Sequence, residues 1–157
     1  MNRLTFGCVA LSSGVALGLA AGIVLSQTTA PRPSAIVSRS HAKAEQFAWG
    51  TMYTYYEGEN FSAKTDLAAV AVIKPGQQIH PPHQHADEEY LMVVSGEGTW
   101  TLKGQTMPAN AGDMLYAAPW DVHGITNTGK TPLTFVVWKW TGKGVEPLAA
   151  PSNAALK

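Results

Sequence analysis

The sequence predicts an all-β domain closed into a barrel or sandwich, set behind an apolar leader. From Phe47 onward, short runs rich in Val, Ile, Thr, Tyr and Trp alternate with turn signals, the pattern of strands rather than helices. The breaks Lys74-Pro-Gly76, Ser95-Gly-Glu-Gly98, Lys103-Gly104, Asn110-Ala-Gly112 and Asn127-Thr-Gly-Lys-Thr-Pro132 supply residues of left-handed or preset φ. Closing such strands on one another removes most exposed edges.

Taken in chain order, the first element is the leader. Asn2 and Arg3 give a short positive start, Leu4 to Leu25 carries no charge, and Ser26 to Ala35 is polar and proline-bearing. The apolar run is long enough to span a bilayer, yet its Gly, Ser and Ala content makes it weakly hydrophobic. Residues 1–30 are therefore read as a signal peptide, favoured, or a membrane anchor, with a tether through residues 4–25 if it is retained. Either way the domain is expected outside the cytoplasm, in the periplasm or the extracellular space. The single cysteine, Cys8, lies inside this leader, so the mature domain has no disulfide and no sulfur ligand. Residues 31–46 read as linker, with Ala42 to Gln46 a short helical turn.

Strands are expected over 47–56, 66–74, 87–95, 98–103, 113–118, 122–128 and 133–141, making residues 47–141 the barrel and 142–157 a C-terminal tail. The 157-residue chain holds eleven Lys and Arg against eleven Asp and Glu, a formal net charge of +0. That balance excludes a general nucleic-acid binder and suits a small ligand drawn in by a metal. A domain of this size folds alone, and pairing into a homodimer is a further option.

Chemistry concentrates in Gly76-Gln-Gln-Ile-His80-Pro-Pro-His83-Gln-His85-Ala-Asp-Glu-Glu89. In an extended segment His83, His85 and Glu89 share one parity and project to one side, while Glu88 points away. Two imidazoles and a carboxylate form a facial set for a divalent metal that leaves positions open. Gly112-Asp-Met-Leu-Tyr-Ala-Ala-Pro119-Trp-Asp-Val-His123-Gly-Ile-Thr-Asn127 reads as strand, proline-marked turn and a strand beginning with histidine.

These two motifs resemble those of the cupin superfamily: a glycine, His-x-His, a glutamate three or four residues on and a glycine, then Gly…Pro…His-x-x-x-Asn. The resemblance spans roughly residues 47–141 and implies a jelly-roll β-barrel, the double-stranded β-helix. It places His83, His85, Glu89 and His123 on the metal-ligand positions, for one ion of iron, manganese, nickel, cobalt, copper or zinc. Gly76, Gly96, Gly112, Pro119 and Asn127 fall on structural positions. Two turns depart from the pattern, since Gly76 lies one residue further from the first histidine and Pro119-Trp-Asp121 replaces Pro-x-Gly.

Parity also suggests a pocket lining. If Lys139 faces solvent, Val136, Trp138 and Trp140 turn inward, and Trp100 and Leu102 share a face. Leu91, Val93, Met114, Tyr116 and Ile125 join them, with His80 at the rim on the stiff segment before Pro81-Pro82. The same family barrel carries many activities. An enzyme acting on a small oxygenated metabolite leads, dioxygenase-like or an isomerase, lyase or decarboxylase. Glu89 would there double as a proton acceptor, and Tyr116 and His80 are acid-base candidates. The alternatives are a non-catalytic binder of a sugar or metabolite and a purely structural or metal-storing domain.

Overall fold

The computed structural model describes residues 32–152. Residues 4–25, read above as signal or anchor, lie outside the described residues, as does the end of the tail beyond 152. Among the described residues there is no helix long and apolar enough to cross a membrane.

Among the described residues nine strands run β1 Lys43–Phe47, β2 Gly50–Glu57, β3 Ala63–Ile73, β4 Glu88–Ser95, β5 Glu97–Leu102, β6 Gln105–Asn110, β7 Met114–Ala117, β8 His123–Thr126 and β9 Leu133–Gly142. They form two antiparallel sheets, ordered β1-β2-β3-β9-β4-β7 and β6-β5-β8. The chain passes from one sheet to the other between β4 and β5, between β6 and β7 and again around β8, which is the jelly-roll expected from the sequence. The crossing after β4 needs Gly96, whose φ is +83°; a Cβ there would stand 2.6 Å from the Pro132 carbonyl oxygen. Lys103 and Gly104, both with positive φ, make the two-residue hairpin between β5 and β6.

The core lies between the sheets. Ala69, Ala71 and Ile73 of β3 meet Phe135 and Val137 of β9, Leu91 and Val93 of β4, and Trp100 and Ile125 from the smaller sheet. The alanines of β3 leave room for Phe135, which is set opposite Ala71 in the ladder.

Two elements differ from expectation. Ala42 to Gln46 is no helical turn, because Lys43–Phe47 is a strand paired with β2, Lys43 opposite Thr54. The stretch before it also touches the barrel: Arg32 pairs with Asp66 at 2.9 Å, and the Tyr56 hydroxyl donates to the Ala35 carbonyl at 2.6 Å. The strand Gln105–Asn110, absent from the expected set, carries Pro108 and polar residues. Both are sheet edges, where one side of the backbone needs no partner and no apolar alternation marks the strand.

Below β8, Asn127 is fully buried. Its amide nitrogen donates to the carbonyls of Ile73 at 2.8 Å and Thr131 at 2.9 Å, and its side-chain oxygen accepts from Gly129 N–H at 3.0 Å. Its backbone binds the other way, to Gly76 and Gln77. Asn127→Ala leaves these buried groups unpaired, so urea unfolding should show a loss of about 2–3 kcal/mol. A loss under about 0.5 kcal/mol, the size of an ordinary surface change, would refute the clamp.

Candidate metal centre

The segment between β3 and β4 has no strand of its own, yet it runs antiparallel to β8. His83 and His123 exchange backbone hydrogen bonds at 2.9 and 2.8 Å, and Gln78 bridges to Thr126 further along. Residues opposed in this way carry their side chains on the same face, so His83 stands beside His123. Glu89 arrives from β4 and turns inward, while Glu88 lines an outer groove with Trp140 and Leu148.

The three imidazoles His83, His85 and His123 bring ligand atoms within 4.8 Å of one another. Glu89, 6% exposed, lies across them, with Oε2 3.2 Å from His85 Nε2 and Oε1 3.4 Å from His123 Nε2. Backbone carbonyls set the rings: His85 Nδ1 lies 3.1 Å from the Asp87 oxygen and His123 Nδ1 lies 2.8 Å from that of Asp121. A carbonyl only accepts, so each Nδ1 carries hydrogen and each Nε2 is presented to the centre.

These residues fit a metal ion. His83 Nδ1 and His123 Nε2 are buried with no hydrogen-bond partner among the described residues; such orphans are rare, and a cation at the centre would satisfy them. Three imidazoles and one carboxylate are a donor set for a first-row divalent ion.

Electrostatics agrees. Burial, with His80, His123 and His85 close by, lowers His83 to about 4, so its ring is neutral at physiological pH and has a lone pair to give. Burial pushes the Glu89 carboxyl up, but the imidazoles of His123 and His85 set against it overcome that and hold the group at about 2. Burial lowers His123 while the nearby Glu89 carboxylate and the hydrogen bond to the Asp121 carbonyl raise it, and the net direction is up.

Above His83, Glu89 and His123 opens a cavity of about 130 Å³, continuous with solvent. His80, Leu91 and Ile125 line it, together with Met52, Leu67, Ile79, Phe135, Val137 and Lys139. The lining expected on β9 is inverted. Phe135 and Val137 are buried and Lys139 follows them inward, whereas Trp138 is 42% exposed and Trp140 stacks on Tyr90 on the outer surface. Tyr116, 44% exposed and packed on Tyr90, and Met114 belong to that same outer face, so Tyr116 cannot serve as an acid or base in the cavity. Trp100 and Val93 are core residues and do not line it. Both faces of β9 are apolar, and a lone lysine suggested the wrong side; the pairing of Ala69 and Ala71 with Val137 and Phe135 is the signal that fixes it.

The departing turn keeps the geometry that glycine normally supplies. Trp120 itself takes φ +66°, donating its backbone N–H to the His85 carbonyl at 2.7 Å and its indole N–H to the Leu148 carbonyl at 2.7 Å.

Residues 69–139 match the family model of the cupin domain. A RmlC-like cupin from Shewanella frigidimarina, 18% identical, superposes with a TM-score of 0.58 over 71% of this chain and 95% of its own. The fold is that of a cupin. Among curated proteins, the barrel is 34% identical over 74 residues to an oxalate-binding protein of Thermotoga maritima, covering 46% of this chain and 60% of that one. It is 27% identical over 82 residues to a gentisate 1,2-dioxygenase of a Streptomyces species, covering 52% of this chain. The chain thus spans 60% of the first relative's length and 23% of the second's.

The cluster of imidazoles around Glu89 has a pH signature in the metal-free protein. Native His83 takes a proton only near pH 4, whereas in the unfolded chain it does so near 6.5. Unfolding therefore takes up a proton between those values, and stability falls as pH drops from 6.5 towards 4. His123, raised in the native state, acts on the other side, its contribution present below 6.5 and lost as pH rises through its native value. Thermal melts of the metal-free domain should lose their slope below pH 6.5 in His83→Gln; an unchanged slope would assign it elsewhere.

Proposed function

We propose that this cupin is a metal-dependent enzyme that acts outside the cytoplasm on a small oxygenated metabolite. One divalent ion would be held by His83, His85, Glu89 and His123. The observation that carries the reading is the convergence of buried, partner-less imidazole nitrogens and a carboxylate at the floor of an open, apolar cavity. A bound ion would supply Lewis acidity toward a chelated carbonyl, carboxylate or enolate, and redox chemistry if the metal is iron, manganese or copper.

The chain's own residues do the rest. The carbonyls of Asp87 and Asp121 orient the rings of His85 and His123, and apolar walls offer a surface for a hydrocarbon body beside the cluster. Glu89, held near 2, is a weak base and suits the ligand role; accepting a proton would require it to leave both histidines. His80 lines the cavity beside His83, with ring centroids 3.8 Å apart, and is the candidate proton carrier outside the ligand set.

The reaction class follows from oxygen dependence. Likeness to a gentisate 1,2-dioxygenase supports oxygen chemistry, with isomerase, lyase or decarboxylase chemistry as the oxygen-free forms. Likeness to an oxalate-binding protein supports a second reading, capture of a metabolite without turnover. Metal-reconstituted protein should consume oxygen with a member of a phenolic, dicarboxylate and uronate panel. Turnover without oxygen would move it to the oxygen-free forms, and tight binding without turnover to the binder.

Metal analysis after dialysis tests the site directly. His85→Ala with His123→Ala should abolish metal retention, and stoichiometric metal in that double variant would defeat the assignment. Glu89→Gln should weaken metal by at least about 10–100-fold, the loss that even supporting residues cause, while Glu88→Gln leaves it nearly intact. Export rests on the leader: fractionation should recover the domain outside the cytoplasm, cleaved or held at the membrane through residues 4–25. An intact, soluble cytoplasmic protein would defeat that part. Light scattering on the same material reads whether two copies pair, as proposed for a small all-β domain.

A further inference from the structure

Lys139 is placed unlike every other basic side chain described. It follows Leu133, Phe135 and Val137 on the inner face of β9, opposite Glu89 of β4 on one side and Leu67 of β3 on the other. It is the single Lys or Arg among the residues that line the cavity with His83, Glu89 and His123. Lys139 also borders an outer groove with Glu57, Asp66 and Asp87, and two of these carboxylates are already engaged. Asp66 is paired with Arg32, Asp87 accepts the hydroxyls of Thr65 and Thr141, and Glu89 faces His85 and His123. Among the described residues the Lys139 ammonium has no ion pair and no hydrogen bond, whereas Lys43, Lys103 and Lys143 each hold a carboxylate.

A half-buried ammonium facing an apolar cavity without a counter-ion is unfavourable unless a ligand supplies one. The remaining lining sharpens the class. It contains no Ser, Thr, Asn, Gln or Asp to hydrogen-bond a polyol, and it offers Leu91, Ile125, Phe135 and Val137 to a hydrocarbon body. With a divalent ion balanced in part by Glu89, the floor of the cavity is also net positive.

We propose that Lys139 is a specificity-determining residue for an organic anion: the substrate is a small carboxylate whose charged group meets the Lys139 ammonium while a neighbouring oxygen reaches the metal position. This rests on the metal-centre reading above, and it separates carboxylates from sugars and neutral alcohols. An ammonium has no lone pair to give a metal, so Lys139, although opposite Glu89 in the ladder, is not one of the four ligands and its loss leaves metal retention intact.

The test uses the full-length protein loaded with zinc, which binds without redox turnover, and isothermal titration with 2-hydroxybenzoate, oxalate and the uncharged analogue 2-hydroxybenzyl alcohol. Wild type should bind at least one of the acids more tightly than the alcohol. Lys139→Gln should weaken that acid by about 10–100-fold, the value of a charge-assisted hydrogen bond, and leave the alcohol unchanged; Lys139→Arg should restore most of the loss. Zinc content and melting temperature of all three proteins are read alongside, and Lys139→Met repeats the neutral substitution if Gln folds poorly. Equal acid affinity in wild type and the neutral variants overturns the inference, as does a wild type that binds neither acid while holding stoichiometric zinc. Loss of zinc from the variants overturns it too, because Lys139 would then support the metal itself. A wild type that holds no zinc defeats the metal-centre reading, and the inference falls with it.

Discussion

One pair of backbone hydrogen bonds, exchanged between His83 and His123, carries the geometry of this site. Neither residue's position is set by its own neighbours in sequence. The histidine-bearing segment is a loop with two consecutive prolines, and β8 is only four residues long. Laid antiparallel, each gives the other the partner it lacks, and the reciprocal bond pair fixes two imidazoles side by side. Asn127 then pins the far end of the same seam to the ends of β3 and the Thr131 turn. Glu89 comes from a different sheet, so the floor of the cavity closes only when both sheets have packed.

That arrangement is costly without a cation. Buried nitrogens lacking partners, rings within touching distance and a carboxylate drawn to about 2 describe a cluster built for a charge at its centre. A cation held there would stabilise the folded domain by an amount that follows its free concentration. Folding and site assembly are therefore one event at the seam, and the apolar walls above it are free to be tuned for the ligand.

The convergence of His83, His85, Glu89 and His123 was legible because it depends on backbone parity and residue chemistry alone. His83, His85 and Glu89 alternate as an extended chain does, and a second histidine-bearing strand start was marked by Pro119 and Asn127. The walls were not legible, for a physical reason. β9 lies between β3 and β4, and both its faces are covered with apolar side chains, Phe135 and Val137 within and Trp138 and Trp140 without. A period of two cannot say which face is inside when both look alike. Lys139 then suggested solvent, although at a cavity mouth a cation can be an inner residue. The edge strands β1 and β6 escaped because their pairing is one-sided and their sequences are polar.

Trp120 shows how a departure from the family pattern brings a new property. A left-handed backbone is easy for glycine and strained for a large side chain, yet here the indole is fastened to the C-terminal segment at Leu148 while its own amide holds the carbonyl of His85. A fluorophore is thereby wired to the loop that carries the histidine cluster. Any rearrangement of His85 passes through one hydrogen bond to an indole whose emission depends on its surroundings, so the chain carries its own optical reporter of the state of its centre.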